Sequence, residues 1–157
     1  MSRRYLIAAA LAVLALPAAL PAQSTPAEKE VYAVVEKFFA GFNAKDTTVM
    51  RATLFDDVKL FTTFTNQQGQ PIARAEGAGE LMNAIASAPS KLFEKIFDPA
   101  IEVEDGLANV WVKYEFYADD KFSHCGIDSF LLVKTADGWK IASLADTRRR
   151  QGCQAGK

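Results

Sequence analysis

The chain has 157 residues, half of them hydrophobic, and carries 18 basic against 19 acidic side chains, for a formal charge of −1. That balance gives no electrostatic case for nucleic acid, and the length suits one ordinary domain with a real core. A single histidine and two cysteines offer no paired ligand spacing for a metal, and no glycine-rich phosphate loop implies a cofactor.

Residues 1–22 read as a secretory signal peptide. Arg3 and Arg4 form a basic start, residues 5–16 an apolar run, and residues 18–22 a small-residue cleavage region. The run is too short for a membrane span of about 20 residues. Arg3-Arg4 also touches the twin-arginine pattern, although the short apolar segment favours the general secretory route. Cleavage after Ala22 would leave residues 23–157 as one exported domain, periplasmic or secreted, with two basic residues fewer and a charge of −3.

Thr25-Pro26-Ala27-Glu28 predicts a capping box with Pro at the first helical position. Val31, Val34, Val35, Phe38, Phe39 and Phe42 then recur at helical spacing, so a helix over 26–42 is expected, ended by Gly41 and Asn43. Asp46 caps a shorter helix over 47–54, with Val49, Met50 and Thr53 inward. Residues 58–65 alternate as a strand with Leu60, Thr62 and Phe64 on one face. After a turn at 66–71 come a short edge strand over 72–75 and a helix over 78–87, which Pro89 stops.

From Phe93 the period is two. Ile101 and Val103 alternate with glutamates before an Asp105-Gly106 turn. Val110, Val112, Tyr114 and Phe116 form the inner face of the next strand, and Trp111, Lys113, Glu115 and Tyr117 the outer one. A last hairpin is expected to close at Asp137-Gly138, setting Phe130 opposite Ala145 and Asp128 opposite Thr147. His124, Asp128, Phe130 and Leu132 then share a face with Trp139, Ile141 and Ser143, and Arg148-Arg149-Arg150 reads as a solvated strand end. Helices covering one face of an antiparallel meander make the class α+β. Cys125 and Cys153 read as one disulfide in an oxidising compartment, the alternative being two free thiols.

The order of elements, the helix end Gly41-Phe42-Asn43-Ala44-Lys45-Asp46, the strand His124-Cys125-Gly126-Ile127-Asp128-Ser129-Phe130 and the segment Asp137-Gly138-Trp139-Lys140-Ile141 resemble the nuclear transport factor 2-like superfamily. They are most similar to its exported bacterial members, labelled lumazine-binding or polyketide-cyclase-like. The resemblance covers residues 26–150. It implies a cone-shaped α+β barrel of the cystatin-like kind, a strongly curved sheet around the long first helix, usually dimeric, with an apolar pocket at the open end.

It also implies roles to be tested residue by residue. Ile127-Asp128 falls on the motif that supplies a protonated Asp to the oxyanion hole of ketosteroid isomerases. The Tyr completing that hole appears here as Phe38, and the general-base Asp falls near Thr62, so isomerase chemistry is not expected. The expected pocket wall is Phe38, Thr62, Val112, Tyr114, Phe116, His124, Asp128, Phe130 and Trp139, the last packing as core with Ile141 rather than as a ligand shelf. His124 and Asp128 are the candidate catalytic groups, about 13 Å apart along a straight strand. Three readings follow: a non-catalytic binder of a small apolar or aromatic molecule, an acid–base enzyme using Asp128 with His124 or Tyr114, and a dimeric interaction domain presenting Trp111, Tyr117 and Leu131. The first is favoured because fold alone decides no chemistry.

Overall fold

The computed structural model describes residues 24–153. The expected signal peptide lies outside them. Helix α1 (Pro26–Ala44) starts at the predicted capping box, with Thr25 Oγ1 accepting from the Glu28 amide at 3.2 Å and Glu28 Oε2 from the Thr25 amide at 2.7 Å. It runs through Gly41 and Asn43 and ends at Lys45, which takes a left-handed backbone (φ 56°). Neither residue breaks the helix because each has another partner. A Cβ on Gly41 would sit 2.8 Å from the Met50 side chain, so its bareness lets α1 press on α2 (Thr47–Thr53). Asn43 reaches across to the backbone of Glu94. Asp46 caps α2 as expected, its carboxylate accepting from the Thr48 and Val49 amides, both at 3.0 Å.

Strands β1 (Leu54–Thr65), β2 (Pro71–Glu76), β3 (Leu92–Glu104), β4 (Leu107–Ala118), β5 (Lys121–Thr135) and β6 (Gly138–Arg148) form one sheet in the order β2-β1-β6-β5-β4-β3, with α3 (Ala78–Ser87) between β2 and β3 in sequence. Every neighbouring pair is antiparallel except β1 and β6, which run parallel. Three irregularities between β3 and β6 bend it: Asp98-Pro99 in β3, Ser123 in β5 and Ala142 in β6 are each passed over in the pairing. Helix α1 packs against β3 and β6, and its Val31, Val35, Phe38 and Phe39 join Val110, Val112, Phe130, Leu132, Trp139 and Ile141 in the core.

The last hairpin differs from its expected register. Thr135 pairs with Gly138, Phe130 with Leu144 and Asp128 with Asp146. The turn residues are Ala136 and Asp137, neither of which has positive φ, while Gly138 does (φ 99°). Gly138 is thus the left-handed residue that follows a tight turn and begins the strand, not a member of the turn itself. The Thr135 hydroxyl fastens it, accepting from the Asp137 amide and donating to the Gly138 carbonyl. The bulge at Ala142 then changes the phase of β6. Ser143 comes to stand opposite Leu131 on the outer face, and Leu144, Asp146 and Arg148 take the inner one.

Cys125 and Cys153 are joined, with Cα atoms 5.8 Å apart. The bond anchors the tail to β5, where Arg149 also exchanges backbone hydrogen bonds with Cys125 at 2.9 Å.

Candidate binding site

A cavity of about 290 Å³ lies at the end of the sheet where β5 begins and β6 finishes. Its apolar wall is built from α1, through Phe38, Phe39 and Phe42, and from α3, through Leu81 and Ile85, with Leu60, Leu92, Phe116 and Leu144 from the strands. Its polar end gathers Thr62, Glu94, Tyr114, His124, Asp128, Asp146 and Arg148. Alternation explains that mixture: on β6, β5 and β3 the inner positions at this end carry acids where those at the other end carry Ile141, Leu132 and Val103.

Two carboxyls meet there. Asp128, only 2% exposed, approaches Glu94 over the intervening strand β4. Burial, then the charge of Glu94, holds Asp128 well above the ordinary carboxylate range. Burial likewise pushes Glu94 up to about 8, partly offset by the hydrogen bond it accepts from Asp128. If both were ionised, Asp128 Oδ2 would face no donor among the described residues. With Asp128 protonated, the two carboxyls are joined by a hydrogen bond, and the pair is largely uncharged at neutral pH. Glu94 is fixed from behind by Asn43, which accepts from its amide at 2.7 Å and donates to its carbonyl at 3.1 Å.

The third acid, Asp146, is already engaged. Its Oδ2 accepts from Thr62 Oγ1 at 2.9 Å and from Arg148 Nε at 2.8 Å. Tyr114 is buried and donates to the Thr147 carbonyl at 2.8 Å, so its phenol, pushed up first by burial, is tied to backbone. Gly126 makes that approach possible, since a Cβ there would come within 1.8 Å of the Thr147 carbonyl oxygen. His124 sits between Tyr114, edge-on at 5.7 Å between ring centroids, and Phe116, tilted at 4.8 Å, with Nδ1 3.0 Å from Ser123 Oγ. Burial, then the Arg148 charge, pushes the imidazole down to about 4, leaving it neutral at pH 7.

Of the residues expected on the wall, the structure brings Phe38, Thr62, Tyr114, Phe116, His124 and Asp128 to the cavity. Val112, Phe130 and Trp139 are not there. Val112 is fully buried in the core, and the Phe130 ring is sealed edge-on behind Phe38 and Phe39, at 6.2 and 5.9 Å. Trp139 sits at the opposite end of β6, under Lys134, whose ammonium lies 5.5 Å from its ring centroid. His124 and Asp128, about 13 Å apart along a straight strand, take different neighbours: Glu94 faces Asp128, and Ser123 hydrogen-bonds with His124.

Glu94, Asp146 and Arg148 are the site residues that sequence reasoning missed. Arg148, Arg149 and Arg150 are exposed as a solvated strand end predicts, but Arg148 also turns back to Asp146 at the mouth of the cavity. Glu94 was hidden by the bulge at Asp98-Pro99. Carrying the phase of Ile101 and Val103 backwards puts Phe93 and Lys95 inside, whereas the inner residues before the bulge are Leu92, Glu94 and Ile96.

The sequence profile of the family described as "Putative lumazine-binding" matches residues 26–145. No curated protein matches the chain. Solved structures do. A protein of unknown function with a cystatin-like fold from Nostoc punctiforme superposes with a TM-score of 0.63 at 13% identity, covering 81% of this chain and 95% of that one. An NTF2-like protein of unknown function from Shewanella baltica gives 0.59 at 16% identity, covering 82% and 99%. A structure described as a putative dehydratase of the NTF2-like family, from Streptomyces avermitilis, gives 0.57 at 13% identity, covering 78% and 96%. At these identities the likeness is one of fold.

Proposed function

The chain belongs to the "Putative lumazine-binding" family, and we propose that it is an exported small-molecule-binding domain, non-catalytic, whose ligand lies in the cavity beneath α1. The observation that carries this reading is the division of the cavity into a phenylalanine-rich wall and one polar end. Ligand sites are typically apolar enclosures with a few converging polar groups that fix orientation. The volume, about 290 Å³, fits a molecule of one or two rings, and the family description points to a flat heteroaromatic body. A thermal-shift screen of pterins, steroids, isoprenoids and polyketides tests it. A saturable rise in melting temperature from a ring-sized compound is expected, and the absence of any shift across the panel would contradict the reading.

A second reading, an acid–base enzyme of the isomerase, cyclase or dehydratase kind, draws support from the Asp128–Glu94 pair, because two unlike carboxyls facing one cavity can give and take a proton. Against it, Phe38 has no hydroxyl, and Thr62 spends its own on Asp146. Asp128→Asn should abolish any turnover while preserving the fold if this reading is right.

Export after cleavage at Ala22 is part of the proposal, supported by the basic-apolar-small pattern of residues 1–22 and by the disulfide, which fits an oxidising compartment. Among the described residues no helix is long and apolar enough to cross a membrane. Self-association is proposed through the outer sheet face, where Trp111 is 55% exposed and where, six residues further along β4, Tyr117 packs between Phe93 and Phe122. Sedimentation at tens of micromolar should give a dimer.

A further inference from the structure

Arg148 is anchored on one edge and open on the other. Its Nε donates to Asp146 Oδ2 at 2.8 Å and its Nη2 reaches Asp146 Oδ1 at 3.5 Å, so the Nε side of the guanidinium is taken, while Nη1 meets no acceptor among the described residues. Asp146 is itself held by the Thr62 hydroxyl at 2.9 Å. The backbone on either side of Arg148 is pinned as well. The Ile127 amide donates to the Thr147 hydroxyl at 3.0 Å, the Tyr114 hydroxyl donates to the Thr147 carbonyl at 2.8 Å, and Arg149 and Cys125 exchange backbone hydrogen bonds at 2.9 Å. The Arg148 side chain is 49% exposed and lines the cavity, so it is reachable from the mouth. An arginine already fixed in this way loses little further freedom when a ligand accepts from its terminal edge.

The hydroxyl donors beside it are committed. Thr62 gives its hydrogen to Asp146 and Tyr114 gives its own to Thr147, while His124 keeps Nδ1 against Ser123. The remaining polar side chains of the cavity, Glu76, Glu94, Asp128 and Asp146, are carboxyls. With these four acids and one arginine around it, a ligand carrying a full negative charge is opposed, whereas an uncharged acceptor is not. We propose that Arg148 is a ligand-contacting residue that selects for a carbonyl: its Nη1–Nη2 edge donates, at the cavity mouth, to the carbonyl oxygen of an uncharged molecule of one or two rings whose body packs against Phe38, Phe42 and Phe116. Asp146 and Thr62 are positioning residues for the guanidinium. This inference rests on the binding reading above and adds to it the chemical class of the ligand and the residue that reads it.

The test titrates the disulfide-bonded protein with three probes built on one bicyclic frame, 1-tetralone, tetralin and tetralin-1-carboxylate, and follows backbone amides and arginine Nε–H signals by NMR. 1-Tetralone should bind about tenfold more tightly than tetralin, and more tightly than the carboxylate, and it should shift the Arg148 Nε–H resonance. Arg148→Met should bring 1-tetralone down to the affinity of tetralin without changing that of tetralin itself. Arg148→Lys, which keeps a cation beside Asp146 but loses the planar fork, should retain the melting temperature and lose most of the preference. Equal affinity for ketone and hydrocarbon, tighter binding of the carboxylate, or a ketone preference that survives both substitutions would overturn the inference and leave the cavity reading intact. An equal loss of tetralin and 1-tetralone binding in both variants would make Arg148 a structural residue and overturn it too. Binding of none of the three would also overturn it, and the cavity reading would fall with it only if the thermal-shift panel were silent as well.

Discussion

Buried Asp128 on β5 and half-buried Glu94 on β3 line the same end of one cavity from either side of β4, so two acids distant in sequence share its polar end. The pair gives the polar end of the cavity its chemistry and makes the protein's stability depend on pH.

Glu94 is raised to about 8 in the native state from an ordinary 4.5, so between those values the folded protein holds more protons than the unfolded chain. The resulting stability is full below about 4.5 and is lost as pH rises through 8. At about 1.4 kcal/mol per unit, the part of this loss that falls above pH 6.5 should amount to roughly 2 kcal/mol. Urea denaturation at pH 6.5 and 9 should show this fall in the natural sequence and a much flatter profile in Glu94→Gln. An equal fall in both would mean that Glu94 is not the group responsible.

His124 acts in the opposite direction. Lowered to about 4, it leaves the unfolded chain holding more protons below 6.5, so its contribution is full above 6.5 and lost as pH falls through 4. Between about 4.5 and 6.5 its slope opposes those of Glu94 and Asp128, so stability should fall less steeply with rising pH there than between 6.5 and 8. Because it is the only histidine, one imidazole resonance reports it. That signal should titrate near pH 4 in the folded protein, and a midpoint near 6.5 would refute its burial.

The phase errors that separate sequence from structure share one physical origin. Long, strongly patterned elements were legible: the capping box at Thr25, the α1 stripe, the Asp46 cap, helix 78–87, the inner face of β4 and the pairing of Cys125 with Cys153 all stand as the residues predict. A bulge leaves no comparable mark, because one unpaired residue shifts every later side chain to the other face. Asp98-Pro99 concealed Glu94, and Ala142 concealed Asp146 and Arg148. Strand periodicity carried on from Trp139 and Ile141 therefore selects Ser143, which faces outward. Asp98 carries a trace of this irregularity, a strand residue before Pro whose backbone is left-handed (φ 51°).

Gly126 should tolerate no side chain. A Cβ at this position would fall 1.8 Å from the Thr147 carbonyl oxygen and 2.7 Å from Tyr114 Cε1, backbone on one side and a buried ring on the other. Gly126→Ala should cost roughly 3 kcal/mol, the upper end of ordinary overpacking, and should break the hydrogen bond from the Tyr114 hydroxyl to Thr147. A loss below about 1 kcal/mol by urea denaturation would show that β6 can move away freely.

The Cys125–Cys153 bond spans 28 residues and ties the tail to β5. Reduction should add two hydrogens to the intact mass and lower stability by roughly 3 kcal/mol in the loop-entropy picture. No mass change in protein expressed in the periplasm would mean that the thiols are free there.

The most direct measurement is a crystal structure of the protein purified from its own host without added ligands. A binding domain should carry density for a ring-sized molecule against Phe38, Phe42 and Phe116, with a polar atom directed at the end of the cavity that holds Glu94 and Asp128. A cavity holding only water, in protein that also shows no thermal shift with any pterin, steroid, isoprenoid or polyketide of the panel, would contradict a small-molecule role for this site.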